Sequence, residues 1–501
     1  MTTEHLDVLI VGAGLSGIGM AYHLKMRCPE KAFAILEGRD AIGGTWDLFR
    51  YPGIRSDSDM FTLGYHFKPW RGEKSIADGD SIRAYIQEAA SENGIDSKIR
   101  FQTRVISATW LSQDARWTLE VEHGPAKARS RLTCNFLLMC AGYYDYASGY
   151  TPDFPGLSAF EGHVIHPQKW PEAIDLAGKR VVVIGSGATA VTLIPELAKT
   201  AAHVTMLQRS PTYVVAWPEV DPIAEKFRAR FSPKRAYRWT RAKNIARSMY
   251  FYRAARKNPD GAKARMLDMA REHLPAAVVE QHFTPRYKPW DQRVCLAPNG
   301  DIFASIREER TSVVTDEIDT FTAGGIRVKS GQVLNADVVV TATGLNLQFM
   351  GGLDVMVDGR RIEPAQLMAY KGLMFGDVPN LVSVFGYTNA SWTLKADMVS
   401  AYVCRLLAYM DRMGYARCMP VGDPSVEERP WVDFTSGYLE RAAGQLPKQG
   451  SKFPWRLYQN YMRDRLMLHG GRIDDGILHF ETRGAAAPIA SSAPAERVPA
   501  E

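Results

Sequence analysis

Leu6-Asp7-Val8-Leu9-Ile10-Val11-Gly12-Ala13-Gly14-Leu15-Ser16-Gly17 is the stretch that decides the fold. Residues 6–11 form a short apolar run that reads as a buried strand, and glycines follow it in the spacing G-x-G-x-x-G. A helix is expected through His23 and Leu24. A second strand over 32–36 ends at Glu37, 25 residues after Gly12. Strand, glycine turn, helix and strand make a βαβ unit. Gly12 permits the tight turn, Gly14 lets the backbone approach a pyrophosphate, and Gly17 lets the helix pack closely on the strand. The helix N-terminus then turns free N–H groups and the positive end of its dipole toward the phosphates. Glu37 can accept hydrogen bonds from both hydroxyls of a ribose and would repel a 2′-phosphate, so this turn suits FAD or NAD rather than NADP.

The pattern recurs further along. Residues 180–184 read as a strand, Gly185-Ser186-Gly187-Ala188-Thr189-Ala190 repeats the turn, a helix runs through Leu197, and a strand over 203–207 leads into Gln208-Arg209-Ser210. Ala190 takes the third glycine position, which the fold permits. Arg209 stands where Glu37 stands in the first unit. A guanidinium cannot accept from a ribose hydroxyl but pairs well with a phosphate dianion, so this second site is expected to prefer NADP(H) to NAD(H). Gly185, Gly187, Thr189, Arg209 and Ser210 are its candidate contacts.

Two such units imply an α/β protein with two Rossmann-like dinucleotide-binding domains, the first for FAD or NAD and the second for NADP. A strand over 136–140 runs into Ala141-Gly142, and one over 336–340 runs into Thr341-Ala342-Thr343-Gly344. These are expected to be the points where the chain leaves and re-enters the first domain, the NADP domain being inserted into the FAD domain. The expected boundaries are 1–145 with 336–483 for the FAD domain and 146–335 for the NADP domain. A basic helical insert occupies 221–275, and 484–501, rich in Ala, Pro and Ser, reads as a disordered tail.

At 501 residues the chain is too long for one ordinary core, and 46% hydrophobic with 23% charged residues excludes a disordered protein. The net charge of +6 fits a phosphate-rich cofactor and gives no reason to invoke nucleic acid. The six cysteines, Cys28, Cys134, Cys140, Cys295, Cys404 and Cys418, form no C-x-x-C pair, and no histidine cluster shows metal spacing. No disulfide framework, metal site or redox dithiol is therefore expected. With no leader pattern at the start and no apolar run long enough to span a bilayer, a cytoplasmic location without a transmembrane segment is expected.

Between Asp221 and Glu272 there are 15 Lys/Arg against 5 Asp/Glu, a local net of +10, interleaved with Phe227, Phe231, Tyr237, Trp239, Tyr250, Phe251 and Tyr252. One reading is a solvated helical subdomain with its aromatics packed inward. The other is a helix pair that touches a membrane surface peripherally.

The segment between the two turns narrows the family. Phe160-Glu161-Gly162-His163-Val164-Ile165-His166-Pro167-Gln168-Lys169-Trp170-Pro171 matches F-x-G-x-x-x-H-x-x-x-W-P. It resembles the fingerprint of type I Baeyer–Villiger monooxygenases of the flavin-containing monooxygenase superfamily. Gly43-Gly44-Thr45-Trp46 with Arg50-Tyr51-Pro52-Gly53-Ile54-Arg55-Ser56-Asp57 looks like the family's flavin-side segment, and Ala342-Thr343-Gly344 like its ATG turn. Pro289-Trp290-Asp291-Gln292-Arg293 resembles the region carrying its active-site arginine, in wording similar to the ethionamide-activating branch.

The resemblance implies that NADPH reduces FAD, that a C4a-peroxyflavin forms with O2, and that a ketone becomes an ester or lactone, with sulfoxidation of thioethers as a side activity. It implies Arg293 as the fixed positive charge of the active site, with Asp57 beside it. Gly44, Thr45, Trp46 and Asp47 are implied as flavin contacts. Phe160, Gly162, His166 and Trp170 are implied to belong to the linker, where His166 fixes its course by hydrogen bonding. Trp392 either lines the substrate side or is a core residue. Two alternatives stand: an N- or S-oxygenating flavin-containing monooxygenase, and an NADPH-dependent flavin reductase. Trp170-Pro171 and the Arg293 segment speak against the first, and the missing C-x-x-C against the second.

Overall fold

A computed structural model describes residues 3–432 and 435–484. The expectation of a disordered tail at 484–501 lies, apart from Gly484, outside these residues.

The first apolar run becomes the central strand Glu4–Val11 of a nine-stranded sheet. It pairs in parallel with Phe33–Leu36 on one side, Val8 opposite Phe33 and Val11 opposite Leu36, and with Ala128–Met139 on the other, Val11 opposite Met139. Residues with both faces covered must be apolar on both; Val8, Leu9 and Ile10 are fully buried. The helix Leu15–Arg27 lies over one face and packs against the long C-terminal helix Trp392–Met413. An antiparallel meander, Thr103–Leu111, Arg116–His123 and Ala128–Met139, completes the sheet, with Asp354–Val357 added at its edge.

The second βαβ unit builds a separate, wholly parallel five-stranded sheet in the order Thr311–Thr315, His203–Gln208, Arg180–Ile184, Val338–Thr341, His163–Ile165. The helix Ala188–Leu197 covers one face. The antiparallel strands Ile318–Thr322, Gly325–Val328 and Val333–Asn335 cover the other with Ile326, Val328 and Leu334.

One boundary needs correcting. The strand expected to open the return to the first domain, from 336, pairs with Arg180–Ile184 and His163–Ile165 and so belongs to the second sheet. Its run of valines fits a parallel interior in either sheet, and only pairing with distant strands decides which. The chain regains the first sheet at Asp354–Val357. Outward and return paths touch on the way, as Tyr144–Gly149 pairs antiparallel with Leu345–Leu347.

Three successive helices of the basic segment, Pro222–Arg230, Pro233–Lys257 and Pro259–Arg271, each begin on proline, whose fixed φ and missing N–H suit a first helical turn. The side chains of Asp221 and Asn258 cap two of them. The aromatics divide: Tyr237 is buried, while Trp239, Tyr250 and Phe251 are exposed. No described helix is long and apolar enough to cross a membrane. All six cysteines are free and buried.

Candidate functional site

The first glycine turn sits at the C-terminal edge of its sheet, where parallel α/β sheets open a crevice. A β-carbon on Gly12, whose φ is +102°, would stand 2.7 Å from the carbonyl oxygen of Cys140, and one on Gly17 only 1.9 Å from that of Gly12. Neither tolerates a side chain. Gly44, at φ +56°, brings its backbone against Gly14, a β-carbon there meeting the Gly14 Cα at 3.0 Å. The helix Leu15–Arg27 starts on Gly14 with no side-chain cap and no acidic residue in its first turn. Its N–H groups and dipole are therefore left for an anion, whereas Asp59 and Asp78 cap the neighbouring helices Met60–Leu63 and Gly79–Glu92. Glu37 is buried and braces the turn, accepting from the Ala13 N–H at 2.7 Å and the Arg39 N–H at 2.9 Å.

From this cradle a cavity of about 790 Å³ extends past Thr45 and Trp46 to Asp57 and Arg293. Asp47 is not on its wall. It is buried at 3% exposure and held by Arg39 at 2.6 Å, by Arg50, and by Arg83 at 3.8 Å. A carboxylate so enclosed anchors the loop.

The loop after Asp47 explains how Asp57 reaches Arg293. Gly53, at φ +78°, lies so close to the second unit's helix that a β-carbon would stand 2.4 Å from the Thr192 carbonyl oxygen. Arg55 pairs with Asp301 at 2.5 Å. The loop is thus fastened to the second sheet before Asp57 meets the Arg293 guanidinium. Both side chains are half-buried, and the Asp57 carboxylate holds the arginine well above its already high range, so the charge is permanent. Trp290, three residues upstream, has φ +69° and also faces the cavity.

Sequence reasoning missed the aromatic wall opposite this ion pair. Tyr143 and Tyr144 share a 3.1 Å contact between hydroxyls, and Tyr143 stacks on Trp392 with ring centroids 5.4 Å apart. Burial pushes the Tyr144 phenol up to about 12, and Tyr143 further in the same direction, so both keep their protons. Their signal was their place directly after Ala141-Gly142, where a parallel strand ends at the crevice. Trp392 also lines the cavity, its indole N–H donating to Ser16 Oγ at 2.8 Å. It also packs against the first core, so it is at once a core-packing and a cavity-lining residue.

The second glycine turn does not line this cavity. Gly185, at φ +134°, has the Ala342 carbonyl 2.3 Å from where its β-carbon would be, while Gly187 faces open space. The helix Ala188–Leu197 starts on Gly187, again without a side-chain cap or an early acid, and carries Thr189 in its first turn. Arg209 and Ser210 are exposed at the strand end, and the Ser186 hydroxyl donates to the Ser210 carbonyl at 3.0 Å. The linker fingerprint is elsewhere again. His166 Nε2 lies 3.1 Å from the Gly344 carbonyl oxygen, its Nδ1 accepts from the Gln168 N–H at 3.2 Å, and burial lowers its pKa. Its ring fills the space a Gly149 side chain would need, between the outward and return paths. Gly162 admits the Asp337 carbonyl 2.5 Å from its would-be β-carbon, Phe160 packs edge-on against Phe321, and Trp170 packs against the second core.

Folding also gathers His23, His66 and Asp397 from three segments, at 3.5 and 3.2 Å from the carboxylate. Arg241 of the basic segment shares the same carboxylate at 3.5 Å and donates to the carbonyls of Phe61, Thr62 and Gly64. With a guanidinium already present the cluster is a charge network that binds the basic segment to the first domain.

Comparison with known proteins finds relatives of this chain and of its fold. A model described as flavin-binding monooxygenase-like matches residues 75–232, and one for NAD(P)-binding Rossmann-like domains matches residues 10–69. The chain is 54% identical over 495 residues to the FAD-containing monooxygenase EthA of Mycolicibacterium smegmatis, covering 98% of this chain and 100% of the relative. Two crystal structures share the fold at 22% identity and a TM-score of 0.74. They are an oxidised steroid monooxygenase bound to NADP, covering 95% of this chain and 100% of that one, and an open cyclohexanone monooxygenase, covering 96% and 100%.

Proposed function

The chain belongs to the flavin-binding monooxygenase-like family, a flavin-dependent oxidoreductase, and from that premise we propose that it uses FAD, NADPH and O2 to convert ketones to esters or lactones, with sulfoxidation of thioethers as a side activity. The observation that carries this reading is the Asp57–Arg293 ion pair at the end of a cavity that begins in an uncapped glycine cradle.

The cradle fits FAD. Gly12, Gly14 and Gly44 keep side chains out of the pyrophosphate's path, the helix N-terminus faces it, and Glu37 is positioned for a ribose. Thr45 and Trp46, on the same cavity wall, would hold the rest of the cofactor. At the second turn Gly187, Thr189, Ser210 and Arg209 offer NADPH an open helix N-terminus and a cation for its 2′-phosphate. Bound FAD, reduced by NADPH, supplies the activation of O2.

The protein's own part is positioning and electrostatics. A carbonyl under nucleophilic attack gathers negative charge on its oxygen, and a preoriented guanidinium is the group best suited to meet it. Asp57 fixes the direction of Arg293 without removing its charge. Tyr143 and Tyr144 stay protonated, and since one hydroxyl of the pair donates to the other, one O–H is left to donate toward developing charge. The aromatic wall limits water at the reacting centre. His166 is proposed to fix the linker through Gly344, coupling movement of the second domain to the site. The absence of a C-x-x-C weighs against a reductase that passes electrons to a partner.

Arg293→Ala is expected to keep flavin reduction by NADPH measurable in stopped flow while ester formation falls ~100-fold or more, by analogy with loss of one oxyanion donor. Unchanged ester formation in that variant would exclude the assignment. The basic segment, with Trp239 and Tyr250 exposed among lysines and arginines, is also proposed to touch anionic membrane surfaces peripherally. Flotation with anionic vesicles should be lost in a Lys/Arg-to-Glu variant, and no flotation of the parent protein ends that idea.

A further inference from the structure

The helix Pro233–Lys257 turns one stripe toward the rest of the protein, and most of that stripe is committed. The Tyr237 hydroxyl donates to the Tyr65 carbonyl at 2.8 Å, Arg241 serves three carbonyls, and Asn244 donates to Asp59 at 2.8 Å. Ala255 closes the stripe, buried at 3% exposure. Between them, at helical spacing, Arg247, Ser248 and Phe251 face the large cavity instead. The stripe thus leaves one turn open to whatever fills that space.

Arg247 differs from its neighbours. Lys243 is held by Asp221 at 2.5 Å, and Arg256 by Asp291 at 2.6 Å. Among the described residues Arg247 has no ion pair and no hydrogen bond; its guanidinium lies 4.8 Å over the Trp217 ring. The nearby Asp221 is taken, one oxygen by the Ile223 and Ala224 N–H groups and the other by Lys243. A half-buried cation held by an aromatic face alone keeps its N–H donors without an acceptor, and an anionic ligand supplies one. The geometry points to a carboxylate-binding subsite, walled by Trp217, Arg247, Ser248, Phe251 and Trp290, that selects ketones bearing a carboxylate at the far end of an apolar chain.

The two-stranded ribbon between the Arg293 segment and Trp217 gives the scale of the subsite. Val214–Trp217 pairs in parallel with Cys295–Pro298, Trp217 opposite Pro298. Arg293 precedes that ribbon by two residues, and Trp217 ends it, an offset of about 16 Å at a strand rise of about 3.3 Å per residue. A ketone with a long apolar chain between carbonyl and carboxylate is the kind of ligand such a span admits. Phosphate recognition by Arg247 is the competing occupant, since NADPH must also approach; Arg209 already meets that need at the second turn.

This inference rests on the ketone reading above, and its test separates the two. Holoenzyme is assayed with a straight-chain methyl ketone and with the same chain ending in a carboxylate, and binding of an unreactive saturated fatty acid is followed by tryptophan fluorescence. The expected result is a kcat/KM preference for the oxo acid of ~10- to 100-fold, the size of one charge-assisted hydrogen bond, that Arg247→Gln abolishes and Arg247→Lys partly restores. Fatty-acid binding weakens in parallel. Equal binding of the fatty acid to parent and Arg247→Gln protein overturns the subsite, as does a rise confined to the KM for NADPH. If neither ketone yields ester but fatty-acid binding still depends on Arg247, the ketone reading fails and the subsite stands.

Discussion

The two glycine turns follow one design and end in different states. At the first, Gly17 presses on Gly12, Glu37 is buried and braces the loop, and the crevice continues into the large cavity. At the second, Ala190 replaces the third glycine, Gly187 faces open space, and Arg209 stands exposed. A closed, braced cradle suits a cofactor that stays bound, and an open one a co-substrate that must leave each cycle. We propose that the group at the strand end, carboxylate or guanidinium, chooses the nucleotide and that the packing around it sets how long the nucleotide stays.

The largest test of this contrast is steric. Gly17→Ala places a β-carbon 1.9 Å from a backbone oxygen that cannot move without breaking the turn. The expected outcome is loss of bound flavin and destabilisation on the order of 3 kcal/mol or more, read from flavin absorbance and thermal unfolding. The matching change at the other turn, Ala190→Gly, should cost only about 1 kcal/mol, the entropy of a helical glycine, and leave flavin content intact. Equal effects at the two turns would erase the distinction.

A smaller effect is expected from charge. Arg209→Ala should weaken NADPH binding ~10- to 100-fold, corresponding to ~1.5–3 kcal/mol for a charge-assisted bond, with little change for NADH. Flavin content should not change. If NADPH and NADH suffer alike, the arginine does not read the 2′-phosphate.

The smallest concerns pH. Burial lowers the pKa of His166, between the two linkers, and of His23, in the first domain. The unfolded chain then takes up protons at about 6.5 while the native state does not, so stability falls as pH drops through 6.5 and levels off below the native values. Above 6.5 neither histidine contributes a slope. His166→Gln should flatten this acid limb in thermal unfolding, and an unchanged limb would mean that His166 titrates normally.

Much of this was legible in the chain because the signals are local. Each βαβ turn declares itself within about forty residues, and Glu37 and Arg209 fall at its fixed offset. The strand Val338–Thr341 was assigned to the wrong sheet because two parallel sheets demand the same valine-rich interior, and the choice rests on partners some 160 residues away in sequence, Val181 opposite Val338 among them. That Arg39, Arg50 and Arg83 converge on Asp47 is a fact of three-dimensional packing that its place after Gly44-Thr45-Trp46 does not announce. The cavity wall was hidden for the same reason. Tyr143, Trp217 and Arg247 come from three separate segments, and none belongs to a motif.

The most direct measurement is the fate of isotopically labelled O2. FAD-loaded protein, NADPH and a ketone are incubated under the labelled gas and the product is read by mass spectrometry. The account predicts an ester or lactone carrying one labelled oxygen atom, formed in proportion to NADPH consumed. NADPH consumption across a range of chain lengths with hydrogen peroxide or sulfoxide as the only oxygenated product would contradict it.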